Sequence, residues 1–273
     1  MSTITKIFIA GLAAISSVHA LPKGHAASSV TPAATPAPSA SPPAAPPVDN
    51  TALIKDLLTA PSAIKRYQRL LTVGGQTLLP AEELKKVVVF DFNGAKPAPN
   101  AKGGAAKAAN IESFPILTDL GISTTMGFLD ACGMNTPHVH PRATEYLTAV
   151  KGSVAFGMIL ENGLVKAGEN AEVSGTLETY QGTVFPMGSI HYQFNPSCEK
   201  AVFVATLNSN DPGTSQIAQN YFNLDGDVVE ASLGFPKNLD GKDINAFKKQ
   251  IPANLAQGIK ECLARCNIPI AEF

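Results

Sequence analysis

Tryptophan is absent from the chain and tyrosine occurs only five times in 273 residues. Aromatic platforms for sugars or similar small molecules are therefore scarce, and a stacking-based binding role finds little support. Neither charge sign dominates. Lys and Arg number 21 against 22 Asp and Glu, a net charge of −1 with no basic stripe, which argues against nucleic acid and other polyphosphate partners. No stretch reaches the roughly 18 apolar residues of a membrane span. There is no CxxC pair and no Asn-x-Ser/Thr sequon. Histidine is rare: two of five, His19 and His25, lie near the N-terminus, and His138, His140 and His191 lie in the body of the chain.

The N-terminus has its own texture. Residues 1–20 place Lys6 before the run IFIAGLAAI and end on small residues, with Val18 and Ala20 ahead of a cut before Leu21. That is the layout of a secretory signal peptide. Residues 21–48 are mostly Ala, Pro, Ser, Thr and Val. Such a segment buries too little apolar surface to offset ordering entropy, and it reads as a disordered spacer. The remaining 49–273 fits one domain.

Within that domain NTALIKDLLTA and SAIKRYQRLLT have helical spacing, with Ser62 placed as an N-cap and Gly74–Gly75 as a terminator. Short β-branched and aromatic runs follow: KKVVVFDF (85–92), TTMGFL (124–129), ATEYLTAV (143–150), SVAFGMIL (153–160), LETYQGTVF (177–185), SIHYQFN (189–195) and AVFVATLN (201–208). Many short strands at close spacing predict an all-β sandwich or jelly-roll barrel. DINAFKKQI and PANLAQGIKECLARC return to helical spacing, with Pro252 in a first turn. Short helices thus flank the barrel at both ends.

Two compact segments carry chemistry, GMNTPHVHPRATEYLTAVKG (133–152) and GTVFPMGSIHYQFN (182–195). Residues two apart in a strand share a face, so His138 and His140 point inward together while Val139 points out. Glu145 returns on the next strand, and His191 arrives from a distant one. An isolated HxH is more often a pair of surface histidines. Four such groups converging on one point instead make a site for a first-row divalent metal, with two octahedral positions left open. Phe156, Phe185, Met187 and Phe194 read as core, and Arg142 as the partner of a surface carboxylate.

HPRATE following HxH, with a glycine before it and Gly152 seven residues after Glu145, resembles the first motif of the germin and germin-like cupins; GTVFPMGSIHYQFN is similar to their second. The likeness extends to the fungal and slime-mould spherulin-like branch through ACGMNTPHVHPRATE and NSNDPGTSQIAQNYF, and it covers roughly residues 50–268. It implies a single cupin jelly-roll barrel, bound manganese held by His138, His140, Glu145 and His191, an extracellular location and homo-oligomers. Oxalate-oxidising germins resemble one another in two asparagines near the metal. One matches Asn135, a candidate substrate-binding residue that could equally cap a turn. The other has no counterpart, since no asparagine lies between 111 and 134.

Three functions stay in view: superoxide dismutation, which needs little beyond the ion; oxalate oxidation; and a non-catalytic metal-stabilised wall, spore-coat or storage protein. The partner of an active site would be a small anion or superoxide. In an exported protein four cysteines read as two disulfides, with three pairings open. If the ligand-bearing strands run antiparallel side by side, as the resemblance implies, Cys132 and Cys198 meet at one rim and pair. Cys262 and Cys266 are then left one helical turn apart.

Overall fold

The computed structural model describes residues 49–237 and 241–271. The signal peptide expected over 1–20 and the spacer expected over 21–48 lie outside the described residues. The described part opens with helices α1 (Thr51–Leu58), α2 (Ala63–Leu71) and α3 (Ala81–Val88). Ser62 caps α2 as expected, its side chain accepting a hydrogen bond from the Lys65 backbone N–H. A small hairpin, Thr72–Val73 against Thr77–Leu78, turns through Gly74 and Gly75, both with positive φ.

The jelly roll itself runs β1 (Gly104–Ala109), β2 (Ser123–Leu129), β3 (Gly133–Val139), β4 (Glu145–Lys151), β5 (Val154–Ile159), β6 (Val173–Leu177), β7 (Gly182–Phe185), β8 (Ile190–Phe194) and β9 (Ala201–Leu207). One antiparallel sheet has the order β1-β2-β9-β4-β7. The other has β3-β8-β5-β6, extended at the outer edge of β3 by β10 (Ser215–Gln216) and β11 (Ala256–Gln257). Burial alternates with period two. Glu145, Leu147 and Ala149 of β4 are buried, as are Ala201, Phe203, Ala205 and Leu207 of β9. Their core cluster includes Val154 and Leu177 from the second sheet, so the two sheets share one interior. Helices α4 (Ile217–Tyr221), α5 (Gly226–Ser232), α6 (Gly241–Phe247) and α7 (Lys260–Arg265) follow the barrel.

Four local expectations are corrected. KKVVVFDF is not a strand: 85–88 complete α3, whose Glu82 and Glu83 occupy the first turn and Lys85 and Lys86 the last, matching the helix dipole. LETYQGTVF divides at Tyr180 (φ 70°) into the end of β6 and β7, which lie in different sheets. PANLAQGIKECLARC is helical only from Lys260. Upstream, the backbone of Leu255 to Gly258 is taken up by bonds to Lys102, Gly103 and Cys132, and tertiary pairing overrides helical spacing. Met187 is exposed on the turn before β8, not core.

The Cys132–Cys198 pairing is also overturned. The bridges are Cys132–Cys262 and Cys198–Cys266, with Cα separations of 5.8 and 5.3 Å. The premise holds, because β3 and β8 do pair antiparallel and the Cys132 N–H donates to the Ser197 carbonyl at the shared rim. What intervenes is α7. It lies across that rim with Leu263 and Cys262 buried against Cys132 and Phe194, and its two cysteines, one turn apart, each take one rim cysteine. The bridges span 130 and 68 residues of sequence, so each restricts the unfolded chain by about 3–5 kcal/mol. Non-reducing peptide mapping is expected to recover Cys132 joined to Cys262 and Cys198 joined to Cys266; a peptide linking Cys132 to Cys198 contradicts the docking of α7.

Candidate metal centre

Register brings the site together. In the β3/β8 pair His191 lies directly opposite His138, and a register shift before Gln193 sets that residue opposite Asn135. His140 follows the end of β3, two residues from His138 and on the same face. Glu145 opens β4 in the opposing sheet, paired with Phe185 and Leu207. All four side chains are buried, and one ligand atom from each lies within 4.8 Å of the others. The Phe185 ring stacks on His191 at 4.3 Å between centroids, closing the apolar side of the cluster.

Backbone carbonyls fix the histidine tautomers. Nδ1 of His138 lies 2.8 Å from the Thr136 carbonyl, Nδ1 of His140 2.6 Å from that of Gly213, and Nδ1 of His191 3.0 Å from that of Ser189. A carbonyl only accepts, so each Nδ1 carries the hydrogen and donates it. In the neutral rings each Nε2 therefore presents a lone pair to the common centre. There, His140 Nε2 is 2.9 Å and His191 Nε2 3.6 Å from Glu145 Oε2. Acceptors face acceptors in a buried space. His191 Nε2 has no hydrogen-bond partner among the described residues, though fully buried. An uncompensated arrangement of that kind is costly. A shared divalent cation satisfies every one of these atoms, and the donor set of imidazole nitrogen and carboxylate oxygen fits such an ion.

Protonation preferences agree with this picture. Burial, reinforced by the neighbouring His191, holds His138 down to about 4. Burial also lowers His140, but its bonds to Glu145 and to the Gly213 carbonyl outweigh it, and the net shift is upward. For Glu145 burial pushes upward, and the imidazoles of His140 and then His191 reverse this, holding the carboxyl at about 2. Near neutral pH the cluster thus keeps an ionised carboxylate beside a neutral His138.

A cavity of about 210 Å³ opens beside the cluster, lined in part by His138, His140, Glu145, Asn135, Gln216 and Asn254. Asn135 is not a turn cap. It sits within β3, donates to Gln193 Oε1 at 2.6 Å and accepts from Asn254 Nδ2 at 2.7 Å. Gln193 Nε2 lies 3.5 Å from Glu145 Oε1. Arg142 does hold an exposed carboxylate, Asp211, at 2.7 Å. Gln193 was within reach of sequence reasoning, being two residues past His191 on the same strand. Asn254 carried no signal, because its segment reads as helix.

Comparison with known proteins agrees with this geometry. The cupin family profile matches residues 91–240, and the chain belongs to that family. Spherulin-1A of Physarum polycephalum is 35% identical over 215 residues, covering 78% of each chain. Germin-like protein 12-2 of Oryza sativa subsp. japonica is 35% identical over 183 residues, 64% of this chain and 79% of that one. Within the cupins this is thus a germin-like, spherulin-like chain. Among solved structures, an oxalate oxidase and an oxalate oxidase in complex with the substrate analogue glycolate each superpose with a TM-score of 0.52 at 25% identity, over 66% of this chain and 88% of theirs. Procruciferin, an 11S globulin of Brassica napus, shares the fold at 15% identity and TM-score 0.51, over 62% of this chain and 41% of its own.

The protonation pattern sets a pH dependence for chelator-treated protein. His138 titrates near 6.5 when unfolded and about 4 when folded, so between those values the unfolded chain binds the proton first and the fold loses stability as pH falls. His140, shifted upward, contributes fully throughout that window, and Glu145 adds its own loss only below 4.5. The melting midpoint of metal-free protein should therefore fall steadily from pH 6.5 to 4, reflecting up to about 3 kcal/mol from His138. A flat profile across this window contradicts the buried neutral imidazole.

Proposed function

We propose that this chain is a secreted manganese cupin in which His138, His140, Glu145 and His191 ligate one ion, and that it is an oxidoreductase of small oxygen-rich anions. The observation that carries the reading is the meeting of imidazole lone pairs with a carboxylate around one buried point, His191 Nε2 lacking any other partner among the described residues. Three neutral imidazoles and one carboxylate leave a divalent ion with net positive charge, which favours anions at its open positions. When bound, manganese supplies that charge, exchangeable coordination positions and one-electron redox capacity. Manganese in preference to other first-row ions comes from the germin resemblance, since imidazole and carboxylate alone favour copper and zinc.

The protein's own groups do the rest. Gln193 orients Glu145 through Oε1, Phe185 seals the centre, and the amides of Asn135 and Asn254 face the cavity. Apart from His138, His140 and Glu145, the described residues lining the cavity include no titratable side chain, so protons reach the reaction through water. Superoxide dismutation asks only for the ion and access. Oxalate oxidation is favoured by a further observation, the paired asparagine amides beside the cluster. There the C–C bond of oxalate breaks, two electrons pass to dioxygen, and two CO2 and one H2O2 form with two protons from water. Export fits the two disulfides and the N-terminal apolar run. Assembly into homo-oligomers belongs to the same reading, with exposed Val73, Leu78, Val88 and Val89 available for contact.

A non-catalytic role is the second reading. It is favoured by the placement of Glu145 in one sheet and His138 and His191 in the other, so that an ion staples the sheets together.

Elemental analysis of protein from its native secretion should find close to one manganese per chain, and Glu145→Gln or His191→Ala should weaken metal binding by at least about 100-fold. The manganese-loaded protein should remove superoxide or release peroxide from oxalate. If it does neither, while chelation markedly lowers the melting midpoint, the structural role is the correct one.

A further inference from the structure

The segment from Pro252 to Gly258 lies beyond the matched family profile, yet it forms one wall of the cavity. Strands β10 and β11 cover the two ends of the outer edge of β3, pairing at 138–139 and at 133–134. Between them the Thr136 N–H has no strand partner. Asn254 fills the gap, its Oδ1 accepting from Thr136 N at 2.9 Å and lying 3.0 Å from Thr136 Oγ1. The next residue, Leu255, has φ 54° and sends its side chain into the main core, while its carbonyl accepts from Lys102 and Gly103. An L-residue adopts that backbone at a cost and is held there by its surroundings. A Cβ on Gly103 would fall 1.9 Å from the Ala256 carbonyl oxygen, so glycine is what allows the two backbones to touch. Immediately downstream, Gly258 N–H donates to the Cys132 carbonyl, and Cys262 and Cys266 are bridged to the rim. The segment is thus fixed at each step.

What it delivers is an amide with a set polarity. Because Oδ1 of Asn254 is committed to the Thr136 N–H, its Nδ2 must face Asn135 and the cavity. One N–H goes to Asn135 Oδ1, and Asn135 in turn donates to Gln193, which reaches Glu145. Each asparagine retains a second amide N–H with no acceptor among the described residues, and both residues line the cavity beside the cation cluster.

We infer that Asn254 is a specificity-determining residue: with Asn135 it offers amide N–H groups to the oxygens of a small carboxylate held on the ion, and the disulfide-stapled C-terminal segment exists in part to place it. This rests on the cation-site reading. The test uses manganese-loaded full-length protein, with metal content measured first and the affinities for glycolate, oxalate and azide then read from the manganese EPR signal. Azide is the control, being an anion without a carboxylate. Asn254→Leu should keep its manganese and its azide affinity while glycolate and oxalate bind at least about tenfold more weakly, the size of a hydrogen bond to a charged group. Asn254→Asp retains an acceptor for the Thr136 N–H and covers the case in which the leucine variant fails to fold; its charge weakens the binding of every anion, and it should weaken glycolate and oxalate at least about tenfold more than azide. Unchanged carboxylate affinity in a folded variant, or equal losses for azide and glycolate, overturns the inference. Wild-type protein that takes up no divalent metal removes the cation site itself, and the inference with it, before any anion is added.

Discussion

The structure turns on a contact that is unfavourable without a cation. Three imidazoles, their Nδ1 hydrogens spent on the carbonyls of Thr136, Gly213 and Ser189, aim lone pairs at a point where Glu145 already presents an oxygen. Each carbonyl lies on the chain near its histidine or on a segment pressed against it, so the tautomers are set by the backbone and not by the ligand. A proton on His140 relieves one of these contacts but leaves His191 Nε2 unsatisfied. A divalent cation at the centre would relieve them all at once. The cluster is in this sense shaped to receive a positive charge.

The same edge of β3 that carries His138 also receives the end of the chain. Glycine at positions 103, 133 and 258 lets backbones come closer than any Cβ would permit, and the gap between the two short flanking strands is closed by a side chain, that of Asn254. Two disulfides immediately beyond make this docking durable. They secure the wall of the cavity as much as the barrel rim, which gives the oxidising environment expected for an exported protein a direct bearing on the shape of the site.

The clustering of His138, His140, Glu145 and His191 was legible because it combines local period-two spacing with histidine scarcity. His138 and His140 share a face by strand geometry alone, and His191 was the one other histidine in the folded body. The β-branched strands were legible for the same reason. Beyond that the signals failed, each for a physical cause. Strand β1 reads GAAKAA, small residues without β propensity, and is held by pairing to β2 along its whole length. The strand expected over 85–92 instead contributes Val87 and Val88 to a helix secured by charge placement. Around Asn254 and Leu255 helical spacing lost to long-range backbone bonds. Cysteine pairing was missed because rim proximity was necessary but not sufficient: the partner was decided by α7, whose docking no local pattern encodes.

The division of ligands between the two sheets links stability to chemistry. Glu145 belongs to the sheet that holds β9 and β7; His138 and His191 belong to the one that holds β8 and β5. An ion bound by both sheets contributes its binding free energy to the fold, because the unfolded chain offers no preformed site. The same cluster borders an amide-lined cavity, so an ion held by the four side chains would lie beside space open to small anions. A purely structural ion needs no such cavity, and a purely catalytic one needs no inter-sheet placement. The cluster has both features, so an ion held there would join the two sheets and border the pocket, and a substitution that loosened it would act on folding and on anion binding at once.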